Sequence, residues 1–299
     1  MMVKGANLLS PVRTSLFTMF ALVAFAANSV LCRLALGEKA IDAASFTSIR
    51  LLSGALVLMG ILRFSNREKH PPTKGSWPAT LMLFSYALTF SFAYITLDAA
   101  TGSLILFSSV QITMLLLSMV AGNRLQGFEW LGVTVAFAGF LYLVLPGLTT
   151  PSAIGFSLMT VAGISWAIYT LKGRESASPL SDTAYNFART IPLVIVLIAL
   201  TIQRAKLSPE GVLLATVSGG LTSGIGYTVW YLALGGLTAT QAAVVQLSVP
   251  VIAALGGVIF LAEQVSLRLV LSAVLILGGI LMVILGRYYL VSIRRSVKG

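Results

Sequence analysis

The residues of this sequence that could do chemistry are polar side chains set inside long apolar runs. Asn28 lies in one run, Ser108 and Gln111 in a second, Gln246 and Ser248 in a third. Each offers a neutral hydrogen-bonding group for which a lipid-facing surface has no use. Aromatic residues sit at similar depth in other runs: Tyr86, Trp166, Tyr169 and Tyr227. Together they would line a mainly apolar cavity with a few neutral polar groups, suited to amphipathic organic molecules of modest size. Phosphorylated sugars would fit poorly, because they need several Lys or Arg at the site. Ordinary helix packing explains any one of these residues equally well, so the expectation rests on the set.

No enzymatic constellation accompanies them. The chain has no Walker loop, so it does not hydrolyse ATP, and no Gly-x-Ser-x-Gly elbow. Its one histidine, His70, lies in a polar loop, and no group of metal ligands forms a recognisable spacing. A single cysteine, Cys32, excludes an intramolecular disulfide. Catalytic residues, metal and cofactor are therefore all expected to be absent. The 9 carboxylates fall in loops or near the ends of apolar runs. Acids within the membrane are the usual proton carriers of pumps and symporters. Their absence at mid-run points to facilitated diffusion or exchange over carboxylate-driven antiport. Arg50 and Arg189 are the charges most clearly inside runs. They could bind an anionic group, or snorkel and bond helix-terminal carbonyls as part of the scaffold. Their occurrence as a pair favours the scaffold role in both.

Composition fixes the solvent. Of the 299 residues 57% are hydrophobic and 10% charged, with a mean hydropathy of +0.95. Soluble domains carry about 25% charged residues, so this is an all-α polytopic membrane protein. The net charge of +11 sits in short loops and the tail. The positive-inside rule explains it, and nucleic acid is not a partner.

Ten spans are expected: 15–36, 44–62, 78–97, 99–122, 128–145, 153–171, 182–202, 211–234, 238–264 and 266–290. Ala24-Phe25-Ala26 resembles a signal-peptidase site, but the first run continues well past it. The spans form one unit written twice, 1–147 and 148–299, with an offset of about 140 positions. Ser108 then falls on Ser248, Val110 on Pro250, Gly139 on Gly279, and Arg50 on Arg189. Five spans per unit put the second unit into the membrane upside down, giving two inverted five-helix repeats around a central cavity. The Lys and Arg bias of the loops places both termini in the cytoplasm. Pro250, near the middle of its span, should open a bend. Gly220-x-x-x-Gly224 should serve packing within the chain before any dimer contact.

Ten spans in two fives, an arginine in the second span of each half, and FLAEQVSLRLVLSAVLILGGILMV at 260–283 resemble the EamA type of the drug/metabolite transporter superfamily. Gln264 stands where typical members carry a basic residue, and Asn123-Arg124 occupies the matching place in the first half. Within the family the sequence is most similar to the YddG-type exporters of aromatic amino acids in bacterial inner membranes. The resemblance implies a monomer in the lipid bilayer that exports aromatic and other neutral amino acids by alternating access. The rival is an exporter of other small metabolites or drugs. It also implies a cavity lined by the first, third, fourth, sixth, eighth and ninth spans. Tyr86, Trp166 and Tyr169 would contact the substrate side chain, with Tyr227 beside them. Asn28, Ser108, Gln111, Gln246 and Ser248 would bond its polar groups.

Overall fold

Long apolar runs become helices because lipid offers backbone groups no partner outside the chain. In the computed structural model, which describes residues 11–64, 73–120, 122, 127–144, 151–174, 176, 178–237 and 239–296, helix dominates. The described first half contains α1 (Pro11–Gly37), α2 (Ala43–Phe64), α3 (Trp77–Ala93), α4 (Ala99–Val120) and α5 (Gly127–Val144). The second contains α6 (Ala153–Arg174), α7 (Pro179–Arg189), α8 (Ile191–Thr201), α9 (Pro209–Val217), a π-helical segment (Ser218–Ile225), α10 (Gly226–Leu234), α11 (Ala239–Gln246), α12 (Val249–Leu261) and α13 (Leu267–Ser296). Eight helical stretches among the described residues are long and apolar enough to cross a bilayer. The chain is a multi-pass membrane protein. The helices α3 and α5 are shorter, at 17 and 18 residues. The basic stretch around Arg67 to Pro72, the Asn123-Arg124 pair and the hinge at Pro146-Gly147 lie outside the described residues.

Small polar residues enter these spans at little cost by bonding back to the preceding turn. Thr47 Oγ1 donates to the Ala43 carbonyl at 2.7 Å, Ser48 Oγ to Ala44 at 2.8 Å and Ser91 Oγ to Ala87 at 2.9 Å. Helix starts use side-chain caps. Ser76 accepts from Ala79 N at 3.3 Å at the head of α3, and Ser208 from Gly211 N at 3.0 Å at the head of α9.

Three spans of the second half are interrupted. Thr190 separates α7 from α8, with Pro192 in the first turn of α8. Leu247 and Ser248 separate α11 from α12. Their N–H groups bond three residues back, to Val244 and Val245, both at 3.1 Å, and Ser248 Oγ donates to the Val245 carbonyl at 2.7 Å. Pro250 then sits in the first turn of α12, where a missing donor costs nothing. The bend expected from this proline is a complete break. The third interruption is the π-helical segment. The break at Thr190 was not anticipated, since 182–202 reads as one apolar run.

Packing follows a crossed pattern. The helix α1 lies against α9, the π-segment, α10 and α12, while α6 lies against α3 and α4. Contact between α5 and α13 is extensive, as is contact between α4 and α12. Glycines set two of the closest approaches. A Cβ on Gly132 would stand 2.6 Å from the Gly279 carbonyl oxygen, and one on Gly279 2.5 Å from that of Gly132. A Cβ on Gly219, in the π-segment, would stand 2.1 Å from the Arg50 carbonyl oxygen of α2. Gly220 and Gly224 face Val57 of the same helix at 3.1 and 3.4 Å, so this glycine spacing does serve contact within the chain.

Because the obstacle at Gly219 is backbone, it cannot swing aside. Gly219→Val is expected to part the π-segment from α2 and cost about 1–3 kcal/mol or more, read as a lowered melting temperature in detergent. Gly220→Ala should change it far less.

Candidate functional site

The centre of the molecule is an aromatic cluster around Trp166 of α6. Its ring centroid lies 4.8 Å from Tyr86 of α3, 4.8 Å from Tyr227 of α10, 5.5 Å from Tyr169 and 6.4 Å from Phe25 of α1. Tilted and edge-on pairs at these separations are favourable contacts. Phe25, Asn28, Tyr86, Phe90, Leu106, Phe107, Trp166 and Tyr227 surround a small void. Its volume is about 10 Å³, on the scale where one water needs roughly 10–15 Å³. The site is thus closed around its own side chains. Asn28 fixes one edge, its Oδ1 accepting from Ser218 Oγ at 2.5 Å and Thr222 Oγ1 at 3.2 Å. Both donors come from the π-segment.

Behind Tyr86 and Phe90 lies Arg50. It is 2% exposed. Its Nε donates to Ser223 Oγ at 3.3 Å and its Nη2 to Tyr86 Oη at 3.0 Å. The guanidinium carbon stands 5.2 Å from the centroid of the Tyr86 ring and 4.8 Å from that of Phe90, within cation–π range. Arg50 therefore does not snorkel, and it bonds no helix-terminal carbonyl. Arg189, at the end of α7, donates from Nη1 to the Lys74 carbonyl, in the segment that leads into α3 rather than at a helix terminus.

The two ends of the bundle are closed differently. At one end Arg33 of α1 donates from Nε to Glu263 at 3.2 Å, from Nη1 to the Tyr94 carbonyl at 3.3 Å and from Nη2 to Asp98 at 3.5 Å. Glu263 in turn accepts from Ala99 N with both oxygens, at 3.1 and 2.9 Å, and so caps α4 from the other half of the chain. Burial pushes the Glu263 carboxyl above its ordinary value, against the Ala99 N–H and, with Asp98 nearby, against Arg33. On the same side Asp42 accepts from Ser45 N and Lys206 N, each at 2.9 Å. Burial acts to raise the Asp42 carboxyl, but these bonds prevail and hold it below its usual value. At the opposite end Asp182 accepts from Gly75 N at 2.7 Å and Asn186 Oδ1 from Ser76 N at 3.0 Å. A cavity of about 180 Å³ opens there, lined by Tyr169, Lys172, Asn186 and Tyr231 among others.

Comparison with known proteins decides what kind of machine this is. The model of the EamA-like transporter family matches residues 12–145 and again 153–285. The chain belongs to the EamA-like transporter family. A protein of Pseudomonas aeruginosa described as uncharacterised is 46% identical to this EamA-like chain over 275 residues, covering 92% of this chain and 96% of that one. An Escherichia coli protein described as a probable amino-acid metabolite efflux pump is 24% identical over 241 residues, 73% of this chain and 79% of that. Its counterpart in Salmonella typhimurium is 25% identical over 233 residues, 70% of this chain and 78% of that. A crystal structure covering 90% of this chain and 96% of its own superposes with a TM-score of 0.59 at 17% identity, a likeness of fold. Membership points to a transporter rather than an enzyme, with a small-molecule substrate. No described group of three or more His, Cys, Asp or Glu could hold a metal.

Of the residues expected to form the site of this EamA-like transporter, Asn28, Tyr86, Trp166 and Tyr227 meet at the void, and Tyr169 adjoins it through Trp166. Ser108 and Gln111 are buried on α4, but Leu106 and Phe107 of that helix line the void in their place. Gln246 and Ser248 flank the break in the ninth span, apart from the void lining. Sequence pattern did not single out Phe25, Phe90, Leu106 or Phe107, since one more apolar side chain in an apolar run carries no signal. The charge of Arg50 was visible, but its partners Tyr86 and Ser223 are 36 and 173 residues away.

Since burial already disfavours ionised Glu263, a neutral acceptor should serve nearly as well as a carboxylate. Glu263→Gln is expected to retain most of the thermal stability. Glu263→Ala should lose about 1–3 kcal/mol by leaving the Ala99 N–H without its acceptor, as read in detergent melts.

Proposed function

We propose that this EamA-like transporter exports amino acids, aromatic and other neutral ones, from bacteria across the inner membrane by alternating access. The observation that carries this is the void among Phe25, Tyr86, Phe90, Trp166 and Tyr227, edged by the single amide Asn28. Aromatic rings match an aromatic or aliphatic side chain, and the neutral groups leave room for a zwitterion. The distant relatives named as probable amino-acid metabolite efflux pumps support the same substrate class. In this proposal the chain works as a monomer of YddG-type specificity. Its ten spans form two inverted repeats, 1–147 and 148–299, and both termini lie in the cytoplasm.

The described carboxylates sit at helix ends or in turns: Glu38 follows α1, Asp42 and Asp98 precede α2 and α4, Glu129, Asp182 and Glu210 lie in first turns, and Glu263 follows α12. None stands at mid-span to carry a proton. Transport therefore runs down the substrate gradient or by exchange. The void is too small for an amino acid in the conformation described, so loading requires Trp166 to move. Breaks beside α8 and α12 and the π-segment give the second half the joints for that movement.

Liposomes holding purified protein test this with radiolabelled phenylalanine and tryptophan. Uptake is expected to saturate, to be competed by neutral amino acids and to survive a proton ionophore. Trp166→Ala should lower it tenfold or more, and Asn28→Ala severalfold. If both variants transport like the parent, the cavity is elsewhere. Collapse of uptake with the ionophore would show proton coupling instead.

A further inference from the structure

Arg50 is a permanent cation in a place without water and without an anion. It sits at the eighth residue of α2, about 10 Å into the helix at 1.5 Å per residue. Among the described residues no carboxylate lies within 4.0 Å of Arg50. A buried charge is normally paired, because the interior does not replace the water it gave up. Here Ser223, the Tyr86 hydroxyl and two aromatic faces compensate part of that loss. The remainder is exposed by one atom: Nη1 is fully buried and donates to nothing. A second buried group, the Tyr227 hydroxyl, stands beside the Tyr86 and Ser223 hydroxyls but makes no hydrogen bond of ordinary geometry to either. Tyr227 stands within electrostatic reach of Arg50, and its ring lies 4.8 Å from Trp166 on the wall of the void. Arg50 Nη1 and the Tyr227 hydroxyl thus flank Tyr86, the one behind the cavity wall and the other on it.

We infer that Arg50 Nη1 and the Tyr227 hydroxyl form a carboxylate subsite, and that the transported class is the apolar carboxylic acid, with or without an amino group. This rests on the transporter assignment above and narrows it. A carboxylate has two oxygens, one for each donor, and supplies the negative charge that Arg50 lacks. The rest of the molecule would lie among Phe25, Phe107 and Trp166. An ammonium group has no such counterpart. No carboxylate lines the void, and its amide acceptor, Asn28 Oδ1, already takes two hydroxyl donors. The carboxylate is therefore the recognised charge and the ammonium is merely tolerated.

Three probes that share one aromatic ring separate these roles: phenylalanine with both charges, 3-phenyllactate with the carboxylate alone, and 2-phenylethylamine with the ammonium alone. Binding is read as a ligand-induced rise in melting temperature of the purified full-length protein. Phenylalanine and phenyllactate are expected to bind, and phenylethylamine to bind at least tenfold more weakly. Tyr227→Phe keeps the ring and removes only the hydroxyl. It should weaken both acids about tenfold while leaving the ligand-free melt close to that of the parent. Arg50→Gln should abolish discrimination between acid and amine. If that variant does not fold, Tyr227→Phe alone decides. Equal binding of phenylethylamine and phenylalanine, or unchanged phenyllactate affinity in Tyr227→Phe, overturns the subsite and leaves amino-acid export standing. Binding of phenyllactate without phenylalanine upholds the subsite and removes the amino-acid reading. A shift produced equally by sodium nitrate, with no further shift from phenyllactate, assigns the position to inorganic anions and also overturns the inference.

Discussion

A chain in lipid must satisfy its backbone from within, and every departure from helix in this protein answers to that rule. The described spans of the first half, α1 to α4, run unbroken. The second half breaks at Thr190, passes through the π-segment and breaks again at Leu247-Ser248. Each break is repaired locally, by three-residue bonds, by Ser248 or by the wider turn of the π-helix. The π-segment also turns side chains inward: its Ser218, Thr222 and Ser223 reach Asn28 and Arg50. Insertions of this kind in helices recur at functional sites. One half provides stiff walls, and the other provides joints and polar contacts.

The two halves are tied together by interactions that join distant parts of the chain. Glu263 caps α4 across 164 residues and pairs with Arg33 across 230. Asp182 and Asn186 hold the Gly75-Ser76 backbone across more than 100 residues. Sequence equivalence does not survive as structural equivalence. Arg50 and Arg189 occupy matching places in the two repeats, yet one is buried among rings and the other, at the end of α7, bonds the Lys74 carbonyl of the segment before α3. The interruption before α8 explains the difference, because it ends α7 at Arg189, whereas α2 continues for 14 residues beyond Arg50.

The multi-pass helical class was legible in the sequence because it follows from bulk quantities, hydropathy and charge placement. So was an interruption near Pro250, since proline is tolerated at the start of a helix and not within one. The core of the site was partly legible. Asn28, Tyr86, Trp166 and Tyr227 stood out because polar and aromatic groups deep in a span need a reason. Depth alone does not give azimuth, however, so Ser108 and Gln111 could not be told apart from Leu106 and Phe107 on the same helix. The partners of Arg50 and the cap supplied by Glu263 depend on which helices meet, and spacing along the chain is silent on that.

The tightness of the central cluster bears on the energetics of the whole cell. A void with room for about one water cannot hold a continuous file of water from one face of the membrane to the other. Protons and small ions, which follow such files, find no room for one within this cluster. A seal at that point is what a membrane under potential asks of a carrier at rest.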